Sequence, residues 1–172
     1  ATYDPRTRSL PTLYVTDGQD YLSFGRMRHI LDNLIADQRI PGLVAVFIDP
    51  RTDPSEARTN RRMTEYDLND AFVTFLADTI RNAMLARYPV DANPQNTGIM
   101  GASLGGLIAS YAAYRRPDVF GLCACQSGSF WWKDAAMVSL IANGPRVPVR
   151  WYLTTGTLHD TQEETRRIRD IL

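Results

Sequence analysis

Apolar residues in this chain fall into short continuous runs separated by longer stripes at helical spacing. Residues 12–15 are apolar or β-branched and close at Asp17-Gly18, which predicts a strand and a turn. Met27, Ile30, Leu31, Leu34 and Ile35 recur at helical spacing between Gly25 and Asp37, until Pro41-Gly42 breaks the pattern. Residues 43–48 are apolar throughout, the pattern of a strand buried on both faces. The polar stretch 49–60, with two prolines, reads as a loop. Leu68, Phe72, Phe75, Leu76, Ile80 and Met84 form one stripe, so residues 67–87 are expected to be a helix closed by Tyr88-Pro89. Further strands are expected at 97–100, 120–125 and 149–154, and helices at 104–114, 135–142 and 160–172. Strands alternating with helices predict an α/β fold with a mainly parallel sheet and helices on both faces. Ligand sites in such sheets lie at the carboxyl ends of strands. Three loops meet that rule: Asp17-Gly18-Gln19, the turn after residue 100 and the turn after Thr154.

The second of these loops carries Gly101-Ala102-Ser103-Leu104-Gly105-Gly106, a G-x-S-x-G pattern with one further glycine. Between a strand and a helix, this pattern makes a nucleophile elbow. Such a turn forces strained backbone angles, and small residues at 101 and 105 let strand and helix approach without a clash. The Ser103 hydroxyl would then stand above the sheet edge at a helix start, where the dipole and free N–H groups favour negative charge. A glycine-rich turn with an incidental serine is the alternative, and the matching flanks favour the nucleophile.

Composition narrows the partners. The 172 residues suffice for one domain with a real core. Nineteen basic and nineteen acidic side chains cancel, and no charged block marks nucleic acid or a membrane surface as a partner. No apolar run is long enough to span a bilayer. The opening Ala1-Thr2-Tyr3-Asp4-Pro5-Arg6 has no signal-peptide pattern, so a cytoplasmic location is expected. Cys123 and Cys125 lie two apart in an expected strand and share a face, which suits two buried thiols better than a bridge or a zinc site.

With these segments in view, the chain resembles the esterase branch of the α/β-hydrolases, and most closely the enterochelin (ferric-enterobactin) esterases. The resemblance rests on residues 14–19 (YVTDGQ), Arg62-Met63-Thr64-Glu65-Tyr66, the elbow, residues 116–121 (RPDVFG) and Gln126-Ser127-Gly128-Ser129-Phe130-Trp131-Trp132. It implies ester hydrolysis through an acyl-serine, with a histidine base and two backbone N–H groups on the oxyanion. Carried over by position, Ser103 is the nucleophile, and the N–H groups of Leu104 and Gln19 form the oxyanion hole. No cofactor or metal site is implied, and any iron would arrive with the substrate.

The acid and the base depart from the family pattern. Relatives place an acid in a Gly-x-x-Glu turn after the strand at 149–154; here the turn is Gly156-Thr157-Leu158-His159-Asp160. His159 falls where the glutamate would, leaving Asp160 as the candidate carboxylate and His159 as a candidate base. Glu163 and Glu164 read as a solvated first helical turn, and His29 as a surface residue on an amphipathic helix. The family histidine follows one further strand, which implies a single esterase domain incomplete at its C-terminus. The antiparallel strands expected ahead of Thr12 are barely represented.

Trp131 and Trp132 could cover a flat aromatic acyl group, or brace a lid against the core. Arg61 and Arg62 could meet an anionic substrate such as a ferric catecholate siderophore, although pairing of Arg62 with Glu65 or Asp67 is the preferred reading. The expectation is a serine esterase acting on a small-molecule ester. A feruloyl or acyl-transfer relative, or a non-catalytic binding domain on the same fold, is the alternative.

Overall fold

The five apolar runs pair side by side, all in one direction. In the computed structural model, which describes residues 9–51, 59–158 and 160–172, the strands are β1 (Thr12–Val15), β2 (Val44–Phe47), β3 (Thr97–Ala102), β4 (Leu122–Gln126) and β5 (Arg150–Thr154). Their order is β2-β1-β3-β4-β5, with every neighbouring pair parallel. Val15 lies opposite Phe47 on one side and Met100 on the other. The chain steps outward from β1 to β2, then returns across β1 to β3. That reversal opens a crevice at the carboxyl ends of β1 and β3, where sheets of this order hold their ligands. The elbow ends β3, so topology alone delivers it to that crevice.

The helices are α1 (Gly18–Ser23), α2 (Met27–Ala36), α3 (Arg62–Glu65), α4 (Asp70–Thr74), a π-helical stretch (Phe75–Ile80), α5 (Arg81–Arg87), α6 (Leu104–Arg115), α7 (Trp132–Asn143) and α8 (Gln162–Ile171). Side chains alternate across the sheet. On one face Tyr14, Ile99, Cys123 and Cys125 join Leu76, Leu107, Ile108, Met137 and Ile168 in the core. On the other, Ala45 and Phe47 line a cleft shared with Leu31 and Ile35 of α2. α6 is buried from Leu104 to Tyr114, because it packs on β3 and β4 as well as on α4 and α7. This explains why its sequence is apolar all round rather than striped. Both cysteines are free and buried, and burial pushes the Cys125 thiol up to about 11. No helix among the described residues is long and apolar enough to cross a membrane.

Four expectations need correction. Residues 43–48 are not buried on both faces: β2 is half-buried throughout because it is the outermost strand of the described sheet. The long helix begins at Asp70, since the Asn69 side chain caps it by accepting from the N–H groups of Ala71 and Phe72. Its buried stripe runs through Phe72, Val73, Leu76 and Ala77, leaving Phe75 43% exposed. Asp17-Gly18 is a helix start rather than a plain turn, with Asp17 left-handed (φ 52°). The segment Trp132–Asn143 has left-handed angles at Lys133, Asp134 and Ala135, so regular helix begins only after these residues. Most of the segment expected to hold antiparallel strands ahead of Thr12, residues 1–8, lies outside the described residues.

Crowding at the strand ends can be tested with one methyl group. A Cβ at Gly101 would lie 2.0 Å from Thr16 Oγ1 and 2.4 Å from the Gly105 carbonyl, whereas one at Gly42 would meet nothing nearer than Leu10 Cδ2 at 3.9 Å. Gly101→Ala is expected to destabilise by about 1–3 kcal/mol through overpacking. Gly42→Ala should stay within about 0.5 kcal/mol of the parent. Urea denaturation of the two variants checks the contrast.

Candidate active site

Ser103 joins β3 to α6 with φ 56° and ψ −125°, a region that side chains other than glycine rarely occupy. Such a conformation costs on the order of 1–3 kcal/mol and persists only where its surroundings enforce it. Here three backbone hydrogen bonds do so. Ser103 N–H donates to the Gln126 carbonyl (3.0 Å), and the Ser103 carbonyl accepts from Leu107 N–H (2.9 Å) and Ser129 N–H (3.0 Å). The elbow glycines serve close approach instead of unusual angles, as none has positive φ. A Cβ on Gly105 would lie 2.6 Å from Asp17 Oδ2, and one on Gly106 2.8 Å from Cys125 Sγ. The outcome is an exposed serine at the mouth of the crevice, its Oγ 3.2 Å from Ser129 Oγ.

Two backbone donors face the same edge. Leu104 opens α6, and Gln19 is the second residue of α1. First-turn N–H groups have no intrahelical acceptor, and neither of these two finds another among the described residues. Their neighbours are occupied: Gly18 N–H donates to Ile48 (2.7 Å), and the N–H groups of Asp20 and Tyr21 to Asp17 (2.9 and 3.2 Å). The Gln19 side chain turns aside to Ser23 Oγ.

Arg62 is positioned differently from either sequence reading. Its partner is neither Glu65, which pairs with Arg61, nor Asp67, which pairs with Lys133. Its guanidinium grips the Asp17 carboxylate through Nε (2.9 Å) and Nη2 (3.0 Å), and Nη2 lies 3.4 Å from the Ala102 carbonyl. Asp17 is buried, and a buried carboxylate needs such a partner. Burial raises its pKa, the Arg62 hydrogen bond and charge oppose the rise, and Asp20 and Asp49 add to it. Asp17 N–H donates to the hydroxyl of Tyr66, a side chain with no exposed surface. As a substrate contact Arg62 is therefore corrected: the two N–H groups on Asp17 already give its charge a buried counterpart.

The segment after β4 draws the remaining groups together. The Gln126 carbonyl holds Ser103, and its side-chain oxygen accepts from the Tyr21 hydroxyl at 2.5 Å. Desolvation, with the charges of Asp17 and Cys125, pushes that hydroxyl up to about 12. Ser127 donates through Oγ to Asp160 Oδ2 (2.6 Å). The two tryptophans differ in their surroundings. Trp132 is half-buried against the core and donates its indole N–H to Asp67 (2.6 Å), so it braces the loop. Trp131 stands 50% exposed, edge-on to Trp132.

Asp160 sits past the end of β5. Oδ2 accepts from Ser127 and Gly156 N–H, and Oδ1 from Thr161 N–H (2.7 Å). The Thr155 hydroxyl also acts on this carboxylate. His159 lies outside the described residues. His29 is exposed on α2. The sequence reading named the Asp17-Gly18-Gln19 loop without a role for the Asp17 side chain, and it missed Tyr21, Ser127 and Ser129 as parts of the site. The available signal was polar side chains crowded between a strand and a pair of tryptophans, at the edge where ligands bind.

A parallel sheet with this strand order, ending in a strained serine between strand and helix, defines an α/β-hydrolase fold. The family model described as "Putative esterase" matches residues 1–169, and the chain belongs to that family. It is 26% identical to the uncharacterized protein YbbA of Bacillus subtilis, over 95% of this chain and 68% of that one. It is 30% identical to the iron(III) enterobactin esterase of Dickeya dadantii, over 75% of this chain and 28% of that enzyme. The enterobactin esterase from Shigella flexneri, solved in the presence of enterobactin, superposes with a TM-score of 0.83 at 23% identity, covering 99% of this chain and 44% of its own. The chain thus spans less than half the length of either enterobactin esterase.

The hydrogen bonds to Asp160 carry a pH signature. Donation by Ser127, then by Gly156 and Thr161, lowers its pKa from 3.8 to about 2. A carboxylate depressed on folding stabilises the fold above its ordinary pKa and loses that contribution as pH falls through the folded value. Asp160→Asn should therefore be less stable than the parent at pH 6, with the gap narrowing below pH 4. Urea midpoints of both proteins from pH 6 to pH 3 measure it.

Proposed function

We propose that this protein hydrolyses carboxylic esters through an acyl-serine formed on Ser103. The observation that carries the reading is the serine's enforced backbone strain, together with two helix-start amides that have no partner among the described residues. In the first step Ser103 Oγ bonds to the ester carbonyl carbon while a histidine takes the hydroxyl proton. The carbonyl oxygen gains negative charge between the N–H groups of Gln19 and Leu104. Collapse breaks the ester bond, and the alcohol leaves with the proton held by the histidine. Water, activated by the same base, then splits the acyl-serine and releases the acid. Asp160 is the carboxylate that orients the histidine. His159, its chain neighbour, is the candidate base within this sequence.

The substrate reading is a small aryl ester, of the catechol-bearing siderophore type. Membership of the esterase family supports it, as do relatives named iron(III) enterobactin esterase. So does Trp131, whose half-exposed ring follows β4 at the crevice edge and offers a flat apolar surface to an aromatic acyl group. Three arginines that follow β2 are paired: Arg51 with Asp49, Arg61 with Glu65 and Arg62 with Asp17. This favours recognition of the aromatic ring over recognition of net charge.

Three measurements test the reading. A fluorophosphonate should label Ser103, located by mass spectrometry, and Ser103→Ala should abolish p-nitrophenyl ester turnover. Unchanged turnover in that variant would defeat the proposal, and absence of labelling would favour a binding role for the same fold. Trp131→Ala should leave stability within about 0.5 kcal/mol of the parent while raising KM for aryl esters more than for acetyl esters. An equal effect on both would remove the tryptophan from the site.

A further inference from the structure

Helix α1 carries the Gln19 donor and lies largely exposed. Of its six residues only Gly18 is buried, and Leu22 is 36% exposed. Packing of this kind cannot fix a backbone amide to the few tenths of an ångström that an oxyanion hole requires. Beside the Gly18 N–H bond to the Ile48 carbonyl, two polar bridges at opposite ends of the Asp17–Tyr21 stretch tie it to the elbow. At the first end, the Asp17 carboxylate is gripped by Arg62, whose Nη2 also reaches the Ala102 carbonyl, one residue before the nucleophile. At the second, the Tyr21 hydroxyl donates to the Gln126 side chain, and the Gln126 carbonyl accepts the Ser103 N–H. Each bridge therefore joins α1 to a residue bonded to Ser103, covalently in one case and by a hydrogen bond in the other.

We propose that Arg62 and Tyr21 are positioning residues that set the place of the Gln19 N–H relative to the Leu104 N–H, one fastening each end of the Asp17–Tyr21 stretch to the elbow. The inference rests on the reading of Ser103 as nucleophile and of these two amides as oxyanion donors. Neither side chain enters the chemistry. Arg62 acts through Asp17, and Tyr21 through Gln126. The glycines of the elbow fit the same arrangement. Gly105 leaves the space that Asp17 Oδ2 occupies, so the carboxylate lies against the first turn of α6, whose first amide is the other donor.

The test uses Tyr21→Phe, which removes one hydroxyl and keeps the ring, and Arg62→Lys, which keeps a charge but loses the two-pronged grip. Loss of an oxyanion donor lowers turnover by about two to three orders of magnitude, so a displaced one should lower kcat by roughly 10- to 100-fold. The expected pattern in each variant is that fall in kcat per fluorophosphonate-titrated site, with KM within about twofold. Affinity for an alkyl boronic acid, which forms a tetrahedral adduct on the serine, should fall in parallel with kcat. Because both bridges hold one donor, the double variant should lose less than the product of the single effects.

A rise in KM at constant kcat would overturn the proposal and make the residue a substrate contact. A lower melting temperature with kcat per titrated site and boronate affinity unchanged would also overturn it, by showing a purely structural role. Should Arg62→Lys fail to fold, Tyr21→Phe alone decides. Retained turnover in Ser103→Ala would instead sink the esterase reading itself, so the two failures are told apart.

Discussion

The backbone of Ser103 is held where an L-residue does not rest on its own, and the surrounding structure is organised around keeping it there. Its amide is tied to Gln126 on the neighbouring strand, and its carbonyl takes one N–H from its own helix and one from Ser129. A strain on the order of 1–3 kcal/mol is small against a core that buries Tyr14, Ile99, Leu107 and Phe120 beneath the same strands. The energy comes from burial, and the hydrogen bonds give it direction. Without β4 in register beside β3, the Gln126 carbonyl would not face the serine amide, and the turn would relax.

Residues 126–132 are the junction of the site. Gln126 reaches both the nucleophile and α1. Ser127 fixes Asp160, and Ser129 meets the Ser103 hydroxyl. Gly128 has no room for a side chain, because a Cβ there would lie 2.4 Å from Cys125 Sγ. Phe130 anchors the loop in the core, and Trp132 anchors it to Asp67. Only Trp131 is left facing outward. One seven-residue segment thus links the nucleophile, the carboxylate and one wall of the crevice, which is why so many of its positions are polar next to a buried strand.

Asp17 shows the electrostatic side of the same design. A carboxylate buried between two strand ends is costly unless it is paired and hydrogen-bonded. Arg62 provides the pair, while the hydroxyl of Tyr66 takes the amide of the same residue. Removing one member of such a set strands the others, so these residues hold each other in place. Their location beside the elbow places that mutual dependence at the point where geometry matters most. Residues 61–66 resolve into two separate ion pairs and a buried phenol, with Arg61 on Glu65, Arg62 on Asp17 and Tyr66 fully buried.

All five strands and the elbow were legible in the sequence, because periodicity and the glycine pattern are local properties. So was the burial of Cys123 and Cys125, from their spacing alone. The exposure of β2 was not, since an apolar run looks the same at the centre of a sheet and at its edge. The phase of the long helix was misread at Phe75, because Asn69 resets the start and a π-helical stretch alters the pitch. The partners of Arg62 and Tyr21 could not be read either. Their contacts lie 45 and 105 residues away in the chain, and only the return of β3 beside β1 makes them neighbours. By itself the sequence determined the elements and the reactive serine, through patterns a few residues long. The tertiary structure decided which charged and hydroxyl groups surround that serine, because hydrogen bonds between strand ends depend on sheet order, which no local pattern records.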